Sequence, residues 1–172
     1  MGMDVYGNKD GAYFRRNIWG WRPLAELVCK LEPELTAGCT HWYCNSGDGL
    51  KARACRQLAK SLQAQIASGR VARLLAARNK ALAAMKDEAC SICSGTGVRC
   101  DELGKQHGDD VRVVSADTGA NTNHPRFGQT GWCNGCDGRG HNRPSATNYP
   151  LTLKDVREFA EFLVDCGGFA IC

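Results

Sequence analysis

Four cysteines lie in two short segments that share one pattern, and their residue types and spacing are typical of metal ligands. Residues 90–97 and 133–140 both follow the pattern C-x-x-C-x-G-x-G. Two residues between the cysteines allow one turn to direct both sulfurs at one ion, and the glycines let backbone N–H groups approach without a Cβ clash. Two such pairs supply the four sulfurs of a closed tetrahedral zinc site. The predicted ligands of one structural Zn2+ are Cys90, Cys93, Cys133 and Cys136.

The pattern also has other interpretations. Two independent redox or core cysteine pairs would show the same spacing, and four sulfurs can also hold iron. Cys100 and His141 flank the repeats and are alternative ligands. A closed four-sulfur site leaves no open position on the metal, which argues against catalysis by zinc. Because the residues between the repeats are too polar to fold alone, we expect the metal to hold together the ends of a loop-rich insert, 90–141.

The repeated pattern resembles the cysteine-rich zinc domain of the DnaJ (Hsp40) chaperones. That domain carries four copies of the pattern and binds two zinc ions, so two copies imply one zinc ion. The resemblance covers only 90–97 and 133–140. The His-Pro-Asp tripeptide of the J-domain has no counterpart, since the nearest match is His124-Pro125-Arg126. The resemblance therefore does not imply a co-chaperone function.

A second group of possible metal ligands lies in a predicted loop at 36–49. Cys39, His41 and Cys44 have irregular spacing, and Cys55 would be a fourth ligand. Thiols beside aromatic residues such as Trp42 are often simply packed. The sequence leaves both interpretations open.

Positive charge is concentrated in one segment of the chain. Residues 50–86 contain nine Lys or Arg and no Asp or Glu, whereas the whole chain has a formal net charge of +4. Such asymmetry favours an anionic partner, either nucleic acid or another polyanion. A solvated helix face, or a face docked on acidic residues of this chain, would show the same charge pattern. The residues predicted to bind the polyanion are Lys51, Arg53, Arg56, Lys60, Arg70, Arg73 and Lys80.

Cations and aromatic residues also mix near the start of the chain. Such a group can stack bases and hold a nucleotide-like ligand. It can equally form the edge of a core along which arginine stems pack. The predicted ligand or partner surface consists of Arg15, Arg16, Trp19, Trp21 and Arg22.

Composition and patterning bound the class of protein. With 172 residues, 43% hydrophobic and 23% charged, the chain is typical of a globular domain. No secretion signal is recognised at its start and no stretch approaches the roughly 18 apolar residues of a membrane span, so we expect a cytoplasmic protein whose eleven cysteines stay reduced. Neither a Ser-His-Asp arrangement nor a P-loop or HExxH motif is recognised, which favours a binding protein over an enzyme. Paired carboxylates cannot be assigned without the fold, and they leave an acid–base enzyme open.

Hydrophobic periodicity predicts an α+β fold, a small mainly helical core with short strands. This core comprises 1–89 and 142–172 and is interrupted by the insert at 90–141. Helices are predicted from Pro23 to residue 31, over 50–68, over 71–86, and after a capping box formed by Thr152 and Asp155. Short strands are predicted near the start, at 111–114 and at 169–172.

Segments of this core resemble small uncharacterised proteins of bacteriophages and prophages. The matching segments are 4–7, 13–15, 19–24, 48–50 and parts of 156–169, and the resemblance covers most of 1–70 and 150–172. It implies the cytoplasm of a bacterial host and no particular reaction. We therefore expect a zinc-binding accessory protein that binds and modulates or inhibits a host protein or nucleoprotein complex, for example in countering host defence. Direct DNA or RNA binding and nucleotide-like ligand binding are the alternatives.

Overall fold

The computed structural model describes residues 2–99 and 133–172, and the chain divides into two compact units. The first unit consists of the described residues up to Ala83 together with Ala146–Cys172. The second unit consists of the described residues within Ala84–Ser145. These limits lie a few residues outside the predicted insert, 90–141. The strand predicted at 111–114 lies outside the described residues.

A three-stranded antiparallel sheet forms one layer of the first unit. Its strands are β1 (Gly2–Gly7), β2 (Tyr13–Asn17) and β5 (Phe169–Ile171), in the order β2–β1–β5. Val5 of β1 pairs with Phe14 on one side and with Ile171 on the other, and all three side chains are buried. The segment at 48–50 continues the hydrogen bonding beyond β5, because its carbonyl groups accept from Phe169 and Ile171.

The first helix begins five residues earlier than the sequence predicted. Helix α1 spans Ile18–Leu31, and the side chain of Asn17 caps it by accepting a hydrogen bond from the backbone N–H of Gly20. Pro23 therefore lies inside the helix and not in its first turn. A short helix, α2 (Pro33–Thr36), follows.

The remaining helices agree closely with the hydrophobic periodicity. Helix α3 spans Ala52–Ala67 and α4 spans Arg70–Ala84, separated by Gly69, which has a φ of +73°. Helix α5 spans Leu153–Asp165 and begins with the predicted capping box, in which Thr152 and Asp155 bond each other's backbone. Helix α3 packs against α5.

The core of the first unit is aromatic. Phe159 of α5 contacts Phe14 and Trp21, and Trp21 also stacks on Trp42 with ring centroids 6.1 Å apart. Aliphatic side chains from α1, α3, α4 and α5 complete this core. These elements confirm the predicted α+β fold class.

In the second unit, two short strands form an antiparallel ribbon. Strand β3 is Glu88–Ala89 and β4 is His141–Asn142. They lie immediately outside the two cysteine repeats and bring the far ends of the repeats together. Taking the helices of the described ranges together, none has the length and apolar character that crossing a membrane requires.

Candidate metal centre

The two cysteine repeats face each other through reciprocal backbone hydrogen bonds. The N–H of Cys90 donates to the carbonyl of Gly140 at 2.8 Å, and the N–H of Cys133 donates to the carbonyl of Gly97 at 3.0 Å. The first residue of each repeat is thus tied to the last residue of the other. The result is a local pseudo-twofold arrangement that holds both pairs of sulfurs in one place.

All four predicted ligands come together in a single buried cluster. Their ligand atoms lie within 4.8 Å of one another, and each residue is at most 2% exposed. Sγ of Cys90 is 3.8 Å from Sγ of Cys133, and Sγ of Cys93 is 3.7 Å from Sγ of Cys136. These separations are too long for a disulfide. They match the roughly 3.8 Å between sulfurs of a tetrahedron with metal–sulfur bonds of about 2.3 Å.

Backbone N–H groups point at the sulfurs, in the same way in both repeats. Gly97 donates to Sγ of Cys93 at 3.3 Å, and Gly140 donates to Sγ of Cys136 at 3.2 Å. Such donors favour the charged thiolate, the form that binds metals. At Cys90 the backbone N–H of Cys93 lowers the thiol pKa to about 7.

Burial acts in the opposite direction on the second repeat. It raises the pKa of the Cys133 thiol to about 12 and also raises the pKa of Cys136. Four buried thiolates repel one another and are stable only with a compensating cation. A divalent ion at the centre of the four sulfurs supplies that charge, so the donor set can hold a metal ion such as zinc.

The spacing of the glycines has a steric cause that the motif alone does not reveal. A Cβ on Gly97 would overlap the carbonyl of Gly138, and a Cβ on Gly140 would overlap that of Gly95; both residues also have positive φ. The last glycine of each repeat therefore permits the close approach of the other repeat.

Sequence reasoning missed one further pair of positions in the repeats. Ser94 and Asp137, which follow the second cysteine of each repeat, both have a φ of 50°. Left-handed conformations are uncommon outside glycine, and Asp tolerates them better than most residues. Their matched φ values show that the two repeats have the same fold, which aligning the two segments would have suggested.

The second possible group of metal ligands does not form. Among the described residues, the cluster above is the only set of ligating side chains close enough to share an ion. Cys39 is buried in the core, Cys44 is exposed, and Cys55 is buried on α3. His141 is not part of the cluster; its Nε2 lies 3.6 Å from Asp87. Cys100 lies outside the described residues.

The predicted polyanion-binding residues are all exposed, and they lie on the outer faces of two helices or beside them. The buried face of α3 consists of Cys55, Leu58, Ala59 and Leu62. Arg53, Arg56 and Lys60 follow at helical spacing on the opposite face. The full exposed set is Lys51, Arg53, Arg56, Lys60, Arg70, Arg73 and Lys80.

The aromatic and arginine group near the start of the chain separates into different roles. Arg15 and Arg16 line a cavity of about 620 Å3. Trp19 is 47% exposed, whereas Trp21 is 1% exposed and donates through Nε1 to the carbonyl of Trp42. Trp21 therefore belongs to the core, and its prediction as a surface residue is wrong. Arg22 lies over the Tyr43 ring.

The chain was also compared with known proteins. A scan against family models found no match, and searches of curated proteins and of solved structures found none either.

Proposed function

We propose that this protein is a zinc-stabilised binding protein whose target is nucleic acid, either free or within a nucleoprotein complex. The observation that carries this proposal is the uncompensated positive charge on the outer faces of α3 and α4. In the setting that the phage resemblance implies, the target is a complex of the bacterial host, and binding modulates or inhibits it.

The role proposed for zinc is structural. Four sulfurs fill a tetrahedral coordination shell and leave no position for a substrate. Zn2+ bound by Cys90, Cys93, Cys133 and Cys136 would fix the ends of the segment between the repeats, and the reciprocal hydrogen bonds would hold the two halves of the site in register.

Within the part of the chain that the structure describes, no acidic side chain pairs with the exposed cations. None of the seven forms an ion pair in the described ranges 2–99 and 133–172, and no Asp or Glu occurs between residues 49 and 86. This removes the alternative in which the basic faces dock on acidic side chains among the described residues.

The same cations act against the stability of their own helices. Arg53 and Arg56, Arg56 and Lys60, and Arg70 and Arg73 are like-charged neighbours, each pair destabilising by roughly 0.2–0.5 kcal/mol. Neither helix has an acidic residue in its first turn, where cations oppose the helix dipole. Phosphate groups bound to these cations would relieve both the like-charge repulsion and the unfavourable interaction with the helix dipole. The charge pattern therefore supports an external anionic partner.

The proposal is tested by measuring binding to duplex DNA and to single-stranded RNA across a range of salt concentrations by fluorescence anisotropy. For duplex DNA, each phosphate contact contributes about −0.9 to the slope of log K against log salt. The triple variant Arg53→Gln/Arg56→Gln/Lys60→Gln removes three cations from the outer face of α3. We expect weaker binding and a slope that is flatter by about 2–3.

The matched control is Lys9→Gln/Lys154→Gln/Arg157→Gln, which removes the same charge from exposed residues outside α3 and α4. Unchanged affinity and slope in this control would assign the effect to position and not to net charge. Salt-independent binding, or equal losses in the two triple variants, would contradict the proposal.

A further inference from the structure

We propose that the cavity between β2, the start of α1 and the start of α5 binds a nucleoside phosphate, a function separate from polyanion binding by α3 and α4. The cavity has a volume of about 620 Å3, within the range of small-ligand sites. Its lining residues are Gly2, Arg15, Arg16, Asn17, Gly20, Pro150, Thr152 and Asp155.

Arg15 provides a guanidinium group that is open to a ligand. Among the described residues its one ion pair is through Nε, 3.3 Å from Oδ1 of Asp4, and the side chain is 62% exposed. The group lies directly against Gly2, where a Cβ would come within 3.0 Å of Nε. The terminal nitrogens of Arg15 have no partner in the described ranges, and their fork geometry suits the oxygens of a phosphate.

Arg16 forms a fixed wall of the same cavity. Its Nη2 pairs with Asp155 at 2.7 Å and with Glu158, and its guanidinium lies 5.6 Å from the centre of the Phe14 ring. Its Nε is buried and finds no acceptor among the described residues. This orphaned donor is a second group that an added acceptor would satisfy.

The acidic side chain in the cavity has partners for both of its oxygens, and Glu158, which shares Arg16 with it, also pairs with Lys154. Oδ1 of Asp155 pairs with Arg16, and its Oδ2 accepts from the backbone N–H and hydroxyl of Thr152, each at 2.7 Å. The carboxylate therefore does not exclude an anion. The start of α1 adds the positive end of a helix dipole, since Asn17 and Gly20 line the cavity and no acidic residue occupies the first turn.

Two aromatic residues that are close in sequence to the lining residues contact each other, and they offer a place for a base to stack. Trp19 lies in sequence between Asn17 and Gly20, and Tyr149 immediately precedes Pro150. The two rings contact edge to face, with centroids 5.0 Å apart, and the Trp19 ring remains 47% exposed. An exposed indole of this kind stacks on nucleobases. The Arg15 fork and the orphaned Nε of Arg16 would serve a phosphate, and the Trp19 ring would serve a base, which together favour a nucleoside phosphate over a simple anion.

The proposal is tested by isothermal titration with adenosine monophosphate, adenosine and inorganic phosphate. We expect saturable binding of adenosine monophosphate and weaker binding of the other two. Arg15→Gln should weaken binding at least roughly tenfold through loss of a charge-assisted contact. Trp19→Ala should weaken it by roughly fivefold or more through loss of stacking. Arg22→Gln, a matched change of an exposed arginine outside the cavity, should leave binding unchanged.

Two further arms separate this proposal from polyanion binding and identify the source of the nucleotide. In Arg53→Gln/Arg56→Gln/Lys60→Gln, retained binding of adenosine monophosphate would support the cavity even if nucleic-acid binding is lost. In that same background, tighter binding of a 5′-phosphorylated oligonucleotide than of its 5′-hydroxyl form would identify a strand end as the source. No saturable binding of either nucleotide probe, or equal binding by wild type, Arg15→Gln and Trp19→Ala, would overturn the proposal.

Discussion

Different interactions stabilise the two units of this protein. The first unit buries a continuous core of aromatic and aliphatic side chains that reaches from β1 to β5. In the second unit the described residues bury the four cysteines, with Ile92 packed against them. Burial of apolar surface stabilises the first, whereas the second buries little of it among these residues, and its four cysteines could hold a metal ion.

The largest expected effect is the loss of the metal from the second unit. One zinc equivalent per chain is expected by elemental analysis. Cys90→Ser or Cys136→Ser should release it, because the three remaining sulfurs leave the tetrahedral shell incomplete. The effect should be large, since structural zinc binds zinc-finger peptides with roughly 10–16 kcal/mol. Hydrogen exchange should then show loss of protection at 90–97 and 133–140 while α3 and α5 stay protected.

The matched control for these changes is Cys44→Ser, since Cys44 is exposed and lies outside the cluster. It should keep a full equivalent of zinc. Full retention in both cluster variants would contradict the ligand set, and iron in place of zinc, with its visible absorbance, would contradict the metal.

The next largest effect is expected from a substitution in the first unit that leaves the second unit intact. Phe159→Ala removes a ring at the centre of the first unit's aromatic cluster and should lower the free energy of unfolding by about 3–5 kcal/mol. Urea unfolding followed by tryptophan fluorescence measures this loss, and elemental analysis should still find bound zinc. Release of the metal by this variant would show that the two units are not stabilised separately.

A smaller effect is expected from a single methyl group at the repeats. Gly140→Ala should weaken zinc binding by roughly tenfold or more, because the added Cβ overlaps the carbonyl of Gly95 and the positive φ is strained. A competition titration with a chelator measures the change. Gly47→Ala is the matched control, since Gly47 has a φ of +78° but open space around it. Equal zinc affinity in both variants would show that close approach of the repeats is unimportant.

The smallest effect concerns acid stability of the first unit. Asp48 accepts hydrogen bonds from the backbone N–H groups of His41, Thr40 and Gly49, which hold its pKa below the usual 3.8. A lowered pKa in the folded state stabilises above pH 3.8, and this contribution is lost as the pH falls through the folded value. Asp48→Asn should therefore flatten the acid limb of the unfolding profile below about pH 4, as followed by circular dichroism. An unchanged acid limb would contradict the assigned role.

Local patterns predicted much of the fold. The capping box at Thr152 and the terminal strand both depend on neighbours in sequence, and both are observed. The predicted start of α1 is wrong because Pro23 is typical of a first helical turn, whereas the cap at Asn17 begins the helix five residues earlier. Had the helix been extended back to Ile18, Trp21 would have joined Leu24, Ala25 and Val28 on one buried face.

The candidate metal site could be predicted for a different reason. Its ligands repeat a local pattern, so only the meeting of two copies had to be inferred. The cavity beside Arg15 could not be predicted, because Thr152 and Asp155 reach it from the other end of the chain. The prediction that Cys39 and Cys44 bind a metal is wrong for the same reason. Packing of the Trp42 side chain against the core determines the conformation of that loop.

The reciprocal hydrogen bonds between the repeats have a consequence for how this chain can be lengthened. The backbone leaves the first repeat at Gly97 and enters the second at Cys133. The N–H of Cys133 donates a hydrogen bond to the carbonyl of Gly97 at 3.0 Å. The entropy of closing a loop grows slowly, by about 0.6 kcal/mol for each doubling of its length. The segment between the hydrogen-bonded ends of the repeats should therefore tolerate inserted peptides. Such insertions, natural or engineered, would leave both halves of the metal site unchanged.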